Sequence, residues 1–288
     1  MKNYVICTDS ACDIPVGLLS DWGVSCIDMT FHMSETAEPL RCGDMAAKEF
    51  YDKMREGRAP KTAAINPYTF RGFFEQFLKQ GLDVLYLCFS SGLSSTYPAS
   101  LTARDELMEE YPERRILVVD TLCASGGQGL LVYLTAKMST ADTSIEDAAA
   151  FAEKTKHNLC HWFTVDDLEY LKRGGRISSA TAFAGTVLGI KPVLHVDPNG
   201  LLVNVSKVRG RKAALRALAE AFNNSALDKK NGTIFIVHAD CEDDARLLGS
   251  WIESANDTHI TLITEMGPII GSHVGPGTMA LFFVGSER

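Results

Sequence analysis

The 288-residue chain lacks most of the patterns that assign a function at sight. It has no G-x-x-x-x-G-K-[ST] phosphate loop and no strand-linked G-x-G-x-x-G, which excludes the two common nucleotide cradles. Gly126-Gly127-Gln128-Gly129 is only an echo of such a loop, with the wrong spacing. The eight cysteines form no C-x-x-C pair, and no Cys/His cluster has zinc-site spacing, so a structural metal is not expected. Cys7, Cys26 and Cys88 lie in apolar runs, where a free thiol acts as a small hydrophobe. The chain therefore reads as a reduced, cytoplasmic protein without structural disulfides. No run approaches the ~20 apolar residues of a membrane span, and Asp9 arrives too early for the apolar stretch of a secretory leader. An excess of positive charge is also missing. With 28 Lys and Arg against 36 Asp and Glu, the net charge is -8. Nucleic acid is thus not expected as a partner, any membrane contact should be transient, and any basic patch must be local. There is no internal repeat and no low-complexity tract.

What is present centres on Asp83–Thr96, D-V-L-Y-L-C-F-S-S-G-L-S-S-T. An apolar run, Val84 to Phe89, breaks into small hydroxyl residues, and Tyr97-Pro98 opens a helical segment. Such a run suits a strand buried on both faces, as in a parallel sheet. Ser and Thr ahead of a helix cap its free N–H groups, and proline is tolerated in the first turn. The junction either simply caps a crossover helix or uses its backbone donors and helix dipole to hold an anion. It has no lysine to meet a phosphate chain, so the anion it suits is small, such as a carboxylate.

Along the chain, strands are expected at Tyr4–Cys7, Val24–Met33 and Ile116–Val119, besides the central run. Helices are expected over Asp44–Arg55, from Asn66-Pro67 to Gly81, beyond Tyr97, and over Ser144–Asn158. Arg58–Ile65 reads as a loop carrying Lys61-Thr62, and Ser125–Gly129 as a glycine-rich turn before an apolar helix. Phe70, Phe73, Phe74 and Phe77 repeat at helical spacing, a core stripe that could also wall a tunnel. The alternation of strand and helix predicts an α/β protein with a mostly parallel sheet. Asp9, Ser10, Ser90–Ser94 and Asp120 should lie along its carboxyl edge, where such sheets bind ligands. The second half has another rhythm. Asp197-Pro198-Asn199-Gly200 separates two apolar runs, a hairpin signal that implies a mixed sheet. Further strands are expected at His161–Val165, Thr233–His238, Ile260–Thr264 and Met279–Val284, with a basic-start helix over Val208–Phe222. Two domains are expected, 1–158 carrying the hydroxyl-rich loop and 159–288 carrying the Gly-His-Gly-Pro loop within residues 267–277, with the ligand between them.

Ser94, His273 and Asp9 are residue types of a catalytic triad, yet no G-x-S-x-G elbow surrounds any serine. The same hydroxyl, imidazole and carboxylate would also serve a carboxylate-binding site. Lys207-Val208-Arg209-Gly210-Arg211-Lys212 puts four cations into six residues of an acidic chain, and Lys172-Arg173-Gly174-Gly175-Arg176 is a second such cluster. Either is a solvated face or a docking surface for an acidic partner.

Six segments in order give the chain an end-to-end resemblance to the DegV family: T-D-S-A-C-D-I-P (Thr8–Pro15), S-S-G-L-S-S-T-Y (Ser90–Tyr97), L-E-Y-L-K-R-G-G-R-I (Leu168–Ile177), I-K-P (Ile190–Pro192), K-V-R-G-R-K (Lys207–Lys212) and I-G-S-H-V-G-P-G (Ile270–Gly277). The resemblance implies two α/β domains holding a long-chain fatty acid. It implies no catalysis, and presentation of the bound acid to a separate ATP-using fatty acid kinase, whose acyl phosphate product feeds phospholipid synthesis. By position, Thr62, Ser94 and His273 would hold the carboxylate, with Ser95 and Arg176 beside them, and Arg209 and Arg211 would face the kinase. No cofactor and no metal is implied beyond the fatty acid as ligand. The chain departs from the family pattern in Thr62-Ala63-Ala64-Ile65-Asn66-Pro67, in Ser95 where the family has glycine, and in Pro98 where it has glutamine. These departures bear on tunnel shape. Burying each methylene contributes about 0.8 kcal/mol, so the acyl chain would supply most of the affinity and the polar mouth its orientation. The small-residue segment Ala180–Gly185 and the Phe70–Phe77 stripe are the candidate tunnel walls. The alternative is a Ser/His acyl-ester hydrolase using Ser94 and His273. A kinase-type enzyme like the similarly folded dihydroxyacetone kinases is disfavoured by the missing phosphate loop.

Overall fold

The computed structural model describes residues 3–33, 38–177 and 189–286. Four parallel strands form the N-terminal sheet: β1 (Tyr4–Asp9), β2 (Val24–Ile27), β6 (Asp83–Cys88) and β7 (Ile116–Asp120), in the order β2-β1-β6-β7. All six residues of β6 are buried, as a central strand covered on both faces requires. Helices α1 (Val16–Asp21), α2 (Ala47–Arg55), α3 (Pro67–Leu78) and α4 (Thr96–Glu110) come before or between these strands in the chain or follow them, with α5 (Ser125–Met138) and α6 (Ile145–Thr155) next. Asn66 caps α3 through its side chain, and Ser144 caps α6 in the same way. The second sheet is mixed, with order β10-β9-β8-β13-β11-β12. It contains β8 (Leu159–Thr164), β9 (Ile190–Val196), β10 (Leu202–Arg209), β11 (Ile234–His238), β12 (Leu262–Glu265) and β13 (Met279–Val284), and only the β11–β12 pair is parallel. The hairpin at Asp197–Gly200 joins β9 to β10 as its turn residues indicate. The α/β class, the parallel first sheet and the mixed second sheet all match the expectation.

Several local expectations do not hold. Val24–Met33 is not one strand but two, β2 and β3 (Thr30–His32), which belong to different sheets. Met29 and Phe31 are then buried beneath a small antiparallel sheet, in which β3 lies between β4 (Leu40–Arg41) and β5 (Lys61–Ala63). The presumed loop at Arg58–Ile65 thus contains a strand, and register places Thr62 opposite Phe31. The glycines at 126, 127 and 129 are not a turn but the opening of α5. Gly126 and Gly127 are small because α5 lies against the second sheet, and Gly129 because it meets Ile14 and Cys12. A Cβ on Gly126 would sit 2.6 Å from Val237 Cγ2, and one on Gly127 would sit 2.0 Å from His161 Nε2. Residues 268–274 are also not a loop but a short helix, α10 (Pro268–Val274), preceded by α7 (Glu169–Arg173), α8 (Arg211–Ser225) and α9 (Glu242–Asn256). The basic helix start is shorter than expected. Lys207 and Arg209 close β10, and only Arg211 and Lys212 belong to α8.

One hydrophobic core joins the two sheets through α5, running from Tyr86 and Phe74 to Phe163, Val237 and Phe282. A second core lies between the mixed sheet and helices α8 and α9, with Phe222, Phe283, Leu248 and Ile252 at its centre. The aromatic stripe of α3 belongs entirely to the first core. Phe70 and Phe74 pack on Tyr86, with ring centroids 5.2 and 5.6 Å away.

Candidate functional site

The carboxyl ends of β1, β6 and β7 do line up. Asp9 is buried and accepts hydrogen bonds from the Tyr86 hydroxyl (2.7 Å), the Phe89 amide (3.0 Å) and the Ala11 amide (3.1 Å). It ties β1 to β6 and spends its acceptor capacity there. Asp120 does the same for the next junction, accepting from the Ser91 and Leu122 amides at 3.1 Å each.

Above this edge, between the two sheets, lies a cavity of about 270 Å³. Its body is apolar, with Met29, Phe89, Leu93, Phe163, Met266 and Phe282 among its walls. Thr62, Ser94, Ser95, Arg176 and His273 all border it. They come from four separate parts of the chain: strand β5, the β6–α4 loop, the turn after α7 and the last turn of α10. Their meeting depends on α10 crossing from the second sheet to the small antiparallel sheet.

His273 is the polar centre of the site. Its Nε2 lies 2.8 Å from Thr62 Oγ1, while Nδ1 is buried and has no hydrogen-bond partner among the described residues. Nδ1 is pressed against Gly174, where an added Cβ would come within 2.4 Å. Burial lowers the histidine pKa to about 4, aided by the positive charges of Arg176 and Arg173. At neutral pH the ring is uncharged. A neutral ring can donate from Nε2 to Thr62, which frees the threonine hydroxyl to donate onward to an anion. Ser94 caps α4. Its Oγ accepts from the Thr96 amide at 3.2 Å and lies 2.8 Å from Thr96 Oγ1. Ser95 is exposed and makes no capping bond. Arg176 is half-buried and donates to the Leu93 carbonyl at 3.2 Å and to the Gly174 carbonyl. Hydroxyls, an imidazole and a guanidinium bordering a mostly apolar cavity can together orient a small anion with a long apolar tail.

The parts of a triad are not assembled. His273 bonds Thr62 rather than Ser94, and Asp9 bonds neither of them. Arg209 and Arg211 lie away from the cavity lining. Arg209 is exposed, whereas Arg211 is paired with Asp244 at 2.7 Å and with Asp166 at 3.5 Å. None of the α3 phenylalanines borders the cavity, and Ala180–Gly185 lies outside the described residues. The walls come instead from His161 and Phe163 on β8 and from Ala280 and Phe282 on β13. Each pair is two residues apart, so each occupies one face of its strand. That period was visible in the sequence, but both faces of these strands are apolar, so alternation could not say which one meets the cavity. Among the described residues no group of His, Cys, Asp and Glu could hold a metal ion, and no helix is long and apolar enough to cross a membrane.

The family model described as "Uncharacterised protein, DegV family" matches residues 3–286. The chain belongs to the DegV family. A DegV domain-containing protein of Clostridium perfringens is 43% identical over 100% of this chain and 99% of its own. Among solved structures, a DegV family protein from Thermus thermophilus described by its fatty acid binding is 31% identical, with a TM-score of 0.88 over 98% of this chain and 99% of that one. DegV from Bacillus subtilis, described as a fatty acid binding protein, is 26% identical, with a TM-score of 0.85 over 99% and 100% of the two chains. The likeness spans both sheets of the DegV fold.

Proposed function

We propose that this DegV protein binds a long-chain fatty acid between an N-terminal domain (1–158) and a C-terminal domain (159–288), without catalysing a reaction itself. The observation that carries the reading is the mostly apolar cavity of about 270 Å³ that Thr62, Ser94, Ser95, Arg176 and His273 border together. In it, Thr62 and Ser94 donate to the carboxylate, His273 orients Thr62, and Ser95 and Arg176 flank the head group. Relatives of the same fold described as fatty acid binding support this assignment. The bound acid is presented to a separate fatty acid kinase in the cytoplasm, with the exposed Arg209 contributing to docking; the pairing of Arg211 gives it a smaller part. The product would enter phospholipid synthesis. The hydrolase alternative has no supporting contact, since Ser94 has no bond to His273.

Native mass spectrometry of the purified protein tests the reading. One long-chain fatty acid per chain is expected, lost on delipidation and regained on adding palmitate. A protein that takes up no fatty acid overturns it. Ester turnover that disappears in Ser94→Ala would favour the hydrolase instead.

A further inference from the structure

One short turn supports both halves of the Thr62–His273 pair. It runs from Ser10 to Asp13 and is anchored to β6 through Asp9, which accepts from the Ala11 and Phe89 amides. At its start, Ser10 Oγ accepts from the Met29 amide at 2.9 Å. Met29 directly precedes β3, whose Phe31 stands opposite Thr62 of β5. At its end, Asp13 Oδ1 accepts from the Gly267 amide at 2.9 Å. Gly267 directly precedes α10, whose last turn carries His273. Pro268 has no N–H, so Gly267 holds the last backbone donor before the helix. The other Asp13 oxygen, Oδ2, accepts from Ser125 Oγ at 2.6 Å, at the first residue of α5. Ser125 borders the cavity, and Asp13 stands one layer behind it.

Holding a carboxylate there is unfavourable. Asp13 is buried, and burial pushes its carboxyl up to about 7 against two bonds that favour the charged form. Its backbone is left-handed at φ 53°, as is that of Ser125.

We propose that Asp13 is a positioning residue of the fatty-acid site: it fixes the start of α10 and, through that helix, the place of His273 against Thr62. The consequence for the ligand rests on the proposed fatty-acid reading; the geometry rests on the hydrogen bonds alone. α10 has seven residues, about 10 Å at 1.5 Å per residue, so a shift at Gly267 carries over to His273. The Tyr51 hydroxyl holds the same junction from the other side, donating to the Met266 carbonyl at 2.7 Å. Loss of Asp13 therefore displaces the helix start rather than freeing it. The bridge needs two hydrogen-bonding atoms in this geometry, not a charge. An asparagine keeps both, since Oδ1 accepts from Gly267 and Nδ2 donates to Ser125 Oγ, whereas an alanine keeps neither.

The test uses the full, delipidated chain at pH 8 with the variants Asp13→Ala and Asp13→Asn. Palmitate affinity is read by calorimetry. Histidine ring signals are read by NMR of the ligand-free protein, with His273 assigned by its loss in His273→Gln. Asp13→Ala is expected to weaken palmitate about tenfold, the size of one hydrogen bond to a charged group, and to move the His273 signals. Asp13→Asn is expected to stay within about twofold in affinity, with the His273 signals at their wild-type positions. A residue that only stabilised the fold would lower the denaturant midpoint and leave the affinity and ring signals of the folded chain unchanged; that result overturns the proposal. Asp13→Asn as impaired as Asp13→Ala overturns it too, because the charge and not the bridge would then matter. Should Asp13→Ala not fold, Gly267→Ala strains the same bond, its Cβ lying 3.0 Å from Asp13 Oδ1. Shifted His273 signals in that variant support the proposal and unmoved signals overturn it. Because the ring signals are read without ligand, they decide the positioning even if no fatty acid binds, in which case the fatty-acid reading alone fails.

Discussion

Replacing Thr62 by valine removes one hydroxyl while nearly keeping the side chain's shape. In the free protein that hydroxyl is the hydrogen-bond partner of His273 Nε2, 2.8 Å away. His273 Nδ1 has none among the described residues, so the variant leaves a buried imidazole with no partner there on either nitrogen. An unsatisfied buried polar group costs about 1–3 kcal/mol, which should appear as a lower denaturant midpoint. In the proposed complex the same hydroxyl would donate to the carboxylate, and a hydrogen bond to a charged group contributes about 1.5–3 kcal/mol. At about 1.4 kcal/mol per decade, palmitate affinity should fall roughly 10- to 100-fold. The assay is displacement of a fluorescent fatty acid by palmitate, with hexadecanol as an uncharged control of the same tail. Hexadecanol should lose less, because its head group carries no charge for the hydroxyl to meet. Unchanged palmitate affinity in Thr62→Val, or equal losses for acid and alcohol, would refute the assignment of Thr62 to the carboxylate.

His273 should remain neutral well below the pH at which histidines usually titrate, because its pKa is lowered from 6.5 to about 4. The unfolded chain then binds the extra proton across that window, so this residue makes stability fall as pH drops from about 6.5 towards 4; ring NMR signals that titrate near pH 6.5 would contradict the geometry. Gly127→Ala places a methyl 2.0 Å from the unmoved His161 Nε2, and overpacking of about 1–3 kcal/mol should outweigh the helix-propensity gain of ~1 kcal/mol. Chemical denaturation decides, and a variant as stable as the wild type would mean that α5 does not need the close approach. Arg209→Ala should weaken phosphorylation of the bound fatty acid by a partner kinase while lipid occupancy by mass spectrometry stays the same; joint loss of both would make the residue structural.

Much of the architecture could be read from local patterns. The continuous apolar run of β6, the Asn66 cap of α3 and the Asp197–Gly200 turn each depend on a few neighbouring residues, and each is found where it was expected. The polar strand ends Asp9 and Asp120 also lie on one sheet edge, because parallel strands place their carboxyl ends together. Sequence and structure part where distant segments compete for the same surface. Glycines 126 and 127 suit a turn locally, but they form a helix because β8, β11 and β13 press on it. Residues 267–277 look like a loop, yet 268–274 form a helix packed tightly on Tyr51, whose hydroxyl an added Cβ on Gly271, the one glycine inside that helix, would approach to 2.5 Å.

The site divides in the same way. The sequence by itself determined the family, the α/β class and the residue types gathered at the cavity, since these follow from motif order and from the alternation of strands and helices. Only the tertiary structure decided that Thr62 rather than Ser94 or Asp9 is the partner of His273, that β8 and β13 rather than α3 wall the cavity, and that Arg211 is already paired. The physical reason is that periodicity reports which side chains are buried but not what they are buried against. A buried phenylalanine on α3 and one on β13 carry the same local signal. Which of them borders the cavity depends on contacts between segments far apart in sequence, as in the Thr62–His273 bond, which spans 211 residues.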